Sequence, residues 1–277
     1  LELVSGVGDV LIAGAVGSTR ALTAFTASGA SIDVPSVMTS GAQTFSGPTI
    51  LRGNATGTAI TFGGSLELRA NSTITGTTST SFNGVVNSQS GMGFALTVLS
   101  PTTTFFSDIG TTGGGELGSL DTDAGSLTLG GGVIRAINDI IFGDAVTLGA
   151  NVLIASTSGG VQFLGAVNSD STLRALQIET GGGSDTIFGS SVGATNALRS
   201  LVTNADGRTF LGGDVVTFDH QFYRDAVVLN NGAALTGNSI SFFSTINSDG
   251  TAGGRALSVN GGSGGITVTG AIGGQEP

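Results

Sequence analysis

The chain has 277 residues, of which 49 are Gly, 4 are Pro and none is Cys or Trp; 10% are charged and the formal net charge is −10. Zero Cys excludes a disulfide framework and zinc–thiolate sites, and the nine basic residues, all Arg, are too few for the basic stripe that nucleic acid requires. Gly enrichment without a strict third-position repeat excludes collagen, while 39% hydrophobic residues and a mean hydropathy of +0.35 argue against disorder.

Apolar residues come as short runs of Val, Ile, Leu and Phe separated by Gly, Ser, Thr, Asn and Asp, which is strand and turn chemistry with no sustained helical period. The first legible phrase is 10–16, VLIAGAV, followed by a Gly-Ser-Thr turn and Arg20-Ala21-Leu22. Phrases of the same kind recur at 104–109 (TFFSDI), 186–192 (TIFGSSV) and 266–272 (ITVTGAI). Aligning Ile12, Phe105, Phe188 and Val268 gives steps of roughly 80 to 95 residues, the first being the longest. That longer first step is accounted for by extra residues at 58–69.

A second family of phrases is clearer still. Residues 81–99 (SFNGVVNSQSGMGFALTVL), 161–178 (VQFLGAVNSDSTLRALQI) and 241–259 (SFFSTINSDGTAGGRALSV) each hold an apolar run, a kink, a polar turn and a second apolar run. Their anchors Phe82, Phe163 and Phe242 are separated by two nearly equal steps of roughly 80 residues. A third set, 34–52, 129–148 and 211–229, keeps the same phase. The reading is an array of about three super-repeats of roughly 80 residues, each holding about four rungs of about 20 to 25 residues.

A unit that short cannot bury both sides of its own strands and becomes stable by stacking on its neighbours. The predicted fold is therefore all-β: one right-handed parallel β-helix (β-solenoid) over 1–277, its handedness resting on the general crossover preference. Val161, Phe163 and Val167 are expected to fill the interior. Gly84, Gly165 and Gly270 are expected at corners whose backbone angles a Cβ would obstruct. The turn text Asn87-Ser88, Asn168-Ser169-Asp170 and Asn247-Ser248-Asp249 is expected to supply tight, left-handed-tolerant corners. A β-sandwich is the structural alternative, but it leaves the period unexplained.

The phrases GAQTFSGPTIL, FLGAVNSDSTLRALQI and ITVTGAIGG resemble the repeat text of large bacterial surface exoproteins, the filamentous-haemagglutinin-like and autotransporter-type adhesins. The resemblance covers nearly the whole chain. It implies a secreted, cell-surface β-helical stalk used in adhesion, biofilm or fibre formation; the secretion-signal domain and outer-membrane barrel of that class have no matching segment here. No apolar run is long enough to span a bilayer, and no signal peptide is legible. Because the chain begins Leu1-Glu2 rather than with Met, it reads as a processed product or a piece of something longer. Ile12 and Val268 sit in equivalent phrases, which suggests end-to-end self-association or flanking repeats of the same chain.

No catalytic, cofactor-binding or metal-ligating residue is expected, and no cofactor. Asp121, Asp123, Asp139, Asp144, Asp170, Asp206, Asp214 and Asp225 are spread along the array and read as solvated turn residues. His220, beside Asp219, reads as a surface or corner residue rather than half of an acid–base pair. Residues 180–188, TGGGSDTIF, fall one position short of a calcium-binding nonapeptide repeat and occur in a single copy. Arg20, Arg174 and Arg255 in the phrase Arg-Ala-Leu read as outward, salt-bridging or solvated. Thr77-Thr78 and Thr103-Thr104 do not recur at rung spacing, so the flat Thr array of an ice-binding solenoid is not expected. Two functional alternatives remain: a carbohydrate-binding or carbohydrate-cleaving β-helix, with Phe218, His220, Phe222 and Tyr223 as its candidate groove, and a calcium-stabilised surface-layer or matrix protein.

Overall fold

The computed structural model describes residues 1–274. Among them are 33 short strands and no helix, and the strands form stacked parallel coils of a β-solenoid, about 13 turns in all. The chain divides into two compact units, Leu1–Ile137 and Asn138–Pro277.

In the first unit each strand pairs with the strand one coil later, so identical positions stack. One inward column runs Phe45, Phe62, Phe82, Phe105 and Leu129. Successive Phe centroids lie 4.8, 5.4 and 4.5 Å apart with nearly parallel rings. Strand spacing of about 4.8 Å places equivalent rings at stacking distance, which is why a Phe every coil is self-consistent. A second column holds Val34, Leu51 and Leu68, and a third holds Val37, Ala55, Ile74 and Val98. Burying each such Phe stabilises by about 2–3 kcal/mol, with about 1 kcal/mol more from each ring pair.

The second unit repeats this plan. Its columns are Phe142, Phe163, Phe188, Leu211 and Leu229; Ile154, Ile178, Thr203, Tyr223 and Phe242; and Val146, Val167, Val192, Val215, Leu235 and Val259. Val161, Phe163 and Val167 are all fully buried, as their spacing predicts.

The super-repeat does not hold a whole number of coils. Starting at Phe163, three coils pass through Phe188 and Leu211 to Leu229, and Phe242 lies only two faces further on. The stretch from Phe163 to Phe242 therefore makes three and two-thirds coils rather than four. Phrase 161–178 accordingly starts on one face of the coil and phrase 241–259 on another. The repeated text encodes three successive strands with the two corners between them, and its copies begin on different faces.

The corners also work differently from expectation. Gly84, Gly165 and Gly270 do not have positive φ. Their Cβ atoms would instead lie 2.5 Å from Ser65 N, 2.2 Å from Asp144 O and 2.3 Å from Ser244 O, so what Gly provides is close approach of the previous coil's backbone. Among the described residues none other than Gly has positive φ, so the Asn corners are not left-handed. Asn87 and Asn168 sit in strands, and their Oδ1 atoms accept the amides of Thr112 and Thr195 one coil on. Asn54, Asn71, Asn151, Asp139 and Asp214 make the same bond to backbone N–H groups of a neighbouring coil. The Asx side chains thus satisfy backbone donors that the ladder leaves open where strands end.

Two buried glutamines hold corners in matching networks. Gln43 Nε2 donates to Val37 O, Thr39 Oγ1 and Thr56 O at 3.1, 3.3 and 2.7 Å. Gln221 Nε2 donates to Val215 O, Thr217 Oγ1 and Thr236 O at 3.2, 3.3 and 2.9 Å. Tyr223 completes the second network by donating its hydroxyl to Gln221 Oε1 at 3.0 Å. Phe45 holds the matching place in the first unit, and Gln43 Oε1 is buried with no partner. An unmet buried acceptor costs about 1–3 kcal/mol. Phe45→Tyr is therefore expected to raise the stability of the first unit by about 1 kcal/mol, read as a higher urea midpoint. A lowered midpoint would show that the Phe25–Phe45–Phe62 stack has no room for the hydroxyl.

Candidate functional site

The candidate residues 218–223 form the outer face and wall of one coil in the second unit. Along strand His220–Tyr223 the burial alternates, with Gln221 and Tyr223 inward and His220 and Phe222 half-exposed. Tyr223 is fully buried, stacks on Phe242 at 5.2 Å, and its phenol is pushed above the ordinary tyrosine value by burial and by Asp225. It therefore belongs to the core and is removed from any surface groove. Phe218 is 69% exposed at the preceding corner, and Phe243, one coil on, is 49% exposed. The His220 and Phe222 rings stack at 4.3 Å, and Phe222 meets Phe243 edge-on at 6.1 Å. His220 Nδ1 lies 3.7 Å from Asp219 Oδ2, outside hydrogen-bond distance.

Most acidic candidates are structural. Asp123, Asp139 and Asp214 accept backbone amides, and Asp206 accepts Gly183 N at 3.1 Å. Asp121, an exposed neighbour of Asp123, has its carboxyl raised by partial burial and by that second carboxylate. Asp144 and Asp225 depart from the solvated-turn reading, with 0% and 3% exposure. They occupy the same place in FGDAVTL and YRDAVVL. Asp225 accepts Thr203 Oγ1 at 3.1 Å and Thr209 Oγ1 at 2.9 Å, yet burial outweighs these bonds and lifts its carboxyl to about 6.

Arg174 and Arg255 close matching loops by two-pronged bonds to Asp170 (3.0 and 2.7 Å) and Asp249 (3.0 and 2.8 Å). The guanidinium holds Asp249 down to about 2 and lowers Asp170 as well. Arg20 is exposed. In the first-unit copy of this loop, Gln89 and Phe94 replace the charged pair, and Ser88 Oγ accepts Phe94 N at 2.8 Å. In the glycine loop at 180–188, Asp185 is paired with Arg208 at 3.2 Å, and Thr180 bonds Asn204 and Asp206 of the next coil. Among the described residues no group of three or more His, Cys, Asp or Glu side chains converges, and no helix is long and apolar enough to cross a membrane.

The expectation that Thr77-Thr78 and Thr103-Thr104 do not recur from rung to rung fails for Thr104, which belongs to a single-file hydroxyl row in the first unit. Thr26, Thr44, Thr61, Ser81, Thr104 and Thr128 stand in register at half-exposed outward positions of six consecutive coils. Cross-strand hydroxyl neighbours of this kind stabilise a sheet. Their spacing along the chain changes from coil to coil, which hides the row from any fixed-period search.

Comparison with protein-family models, with curated proteins and with solved structures returned no match.

Proposed function

We propose that this chain is a structural, non-catalytic β-solenoid segment of a bacterial surface adhesin or extracellular fibre, secreted and displayed at the cell surface or in the matrix. The observation that carries this reading is the use of the interior. In both units the inward columns are mainly Phe, Leu, Ile and Val stacked coil upon coil, and the buried polar side chains that bond do so mainly to backbone or to one another. Such a core makes a stiff element whose product is length.

The partner in this proposal is the array itself, as flanking repeats of the same chain or a second copy meeting it end to end. Strand Gly265–Val268 pairs with Ser239–Phe242, and Ile266 and Ile272 in that coil are 49% and 67% exposed. An exposed β-edge beside apolar side chains invites further parallel pairing. Electron microscopy of the purified protein across concentrations is expected to show thin filaments of constant width. Monodisperse particles at every concentration would remove self-association. Recovery of the protein from the cytosol, shielded from protease added to intact cells, would remove the surface reading altogether.

A further inference from the structure

The second unit carries an aromatic surface outside its packed interior. The wall beneath it is already filled by Gln221, Tyr223, Ile240 and Phe242, all buried. Yet Phe218, His220 and Phe222 present their rings outward in succession along one coil, with Phe243 beside them on the next. Two exposed rings, Phe218 and Phe243, grouped with two half-exposed ones point to a contact surface rather than to scattered exposure.

The neighbours of the rings narrow the occupant. His220 pairs in register with Ser239, and Phe222 with Ser241. Among the described residues no hydrogen bond within the protein occupies either serine hydroxyl, and both residues are half-exposed. At one end the Asp219 carboxylate and His220 Nδ1 offer an acceptor and a second polar group. A ring face is electron-rich and attracts the C–H face of a pyranose, whose equatorial hydroxyls then need donors and acceptors around the ring edge. His220 and Phe222 each turn one face to the other at 4.3 Å, which leaves their outer sides and the exposed Phe218 ring, bordered by serine hydroxyls and one carboxylate, to meet both needs. Nucleic acid, which also stacks on aromatic rings, requires a basic groove, and the chain carries a net charge of −10. The same charge disfavours a polyanionic glycan. Phe218 and Phe222 are four residues apart, at most about 13 Å along an extended chain, enough for two or three consecutive sugar rings.

We propose that Phe218, His220, Phe222 and Phe243 form a binding platform for a neutral pyranose polysaccharide, with Ser239, Ser241 and Asp219 as its hydroxyl partners. The platform is independent of the stalk reading, which stands or falls on self-association and location.

The test is calorimetric titration of the whole chain with cellohexaose, with chitohexaose and with dextran sulfate, repeated on Phe218→Ala and Phe222→Ala. Phe218 is exposed enough that its removal is expected to leave the melting midpoint unchanged, which separates binding from folding. At least one neutral hexasaccharide is expected to bind, about tenfold more weakly to each variant. The proposal is overturned if neither neutral sugar binds, if Phe218→Ala binds as the parent does, or if only dextran sulfate binds. It is also overturned if sedimentation shows a concentration-dependent dimer that Phe218→Ala abolishes, because the rings would then be a contact between copies.

Discussion

Gly165→Ala is expected to destabilise the second unit by about 3 kcal/mol or more, whereas Gly250→Ala is expected to be nearly neutral. The added Cβ at 165 would stand 2.2 Å from Asp144 O and 2.6 Å from Asp144 C, both backbone atoms that cannot rotate aside. Coil separation at this point is fixed by Leu164 N donating to Phe142 O at 2.9 Å and Val146 N donating to Ala166 O at 2.8 Å. Relieving the clash means lengthening at least one of those bonds, and a backbone group left unpaired there carries its own desolvation cost. Gly250 has open space around its Cβ direction and no positive φ, so Ala is tolerated and the pair controls for composition. Urea midpoints followed by far-UV circular dichroism give the first comparison, and hydrogen exchange at the Leu164 and Val146 amides localises the damage. Equal midpoints for the two variants would refute the claim that close coil approach, rather than backbone angle, selects Gly at this corner.

That distinction shows where sequence reading stops. The solenoid is legible because every coil must meet the same two requirements. An apolar residue must point inward at each face, and something small must sit where the next coil passes over a corner. Phe82, Phe163 and Phe242, each followed by a kink and Asn-Ser, carry both in plain text. The text does not say on which face of the coil it starts, since each face asks for an inward apolar strand, and so three and two-thirds coils read as four. The hydroxyl row from Thr26 to Thr128 is hidden for a related reason: loop lengths between coils vary while the strand register does not. In the candidate surface, alternation alone separates inward Tyr223 from outward Phe222, and that much is readable. The bond from Tyr223 to Gln221, and the burial of Asp225, depend on partners that only stacking brings near. Thr203 and Thr209 are 22 and 16 residues upstream of Asp225. A short Asp-Ala-Val phrase carries no trace of them and reads as a turn.

The buried carboxyl has a consequence that can be measured in solution. Asp225 titrates near its ordinary value of 3.8 in the unfolded chain and near 6 in the folded one, chiefly because burial disfavours the carboxylate. Between those values the native state binds a proton that the unfolded state has released, so stability falls as pH rises through the window and levels off above it. The difference corresponds to about 3 kcal/mol as an upper figure. Asp170 and Asp249 act in the opposite sense, since Arg174 and Arg255 lower them; the stability they contribute is present above the unfolded value of 3.8 and is lost as pH falls towards 2. Their window lies below that of Asp225, so the two effects separate on the pH axis. Asp225→Asn retains an oxygen to accept the Thr203 and Thr209 hydroxyls and removes the buried charge. The variant is expected to be more stable than the parent at pH 7.5 by about 1–3 kcal/mol. Its urea midpoint should decline less between pH 4 and pH 6.5 than that of the parent, the remaining slope coming from the raised Asp121 carboxyl. A variant whose pH profile runs parallel to the parent, or which is the less stable of the two at pH 7.5, would mean that the two threonine bonds outweigh burial and hold the carboxylate ionised in the core.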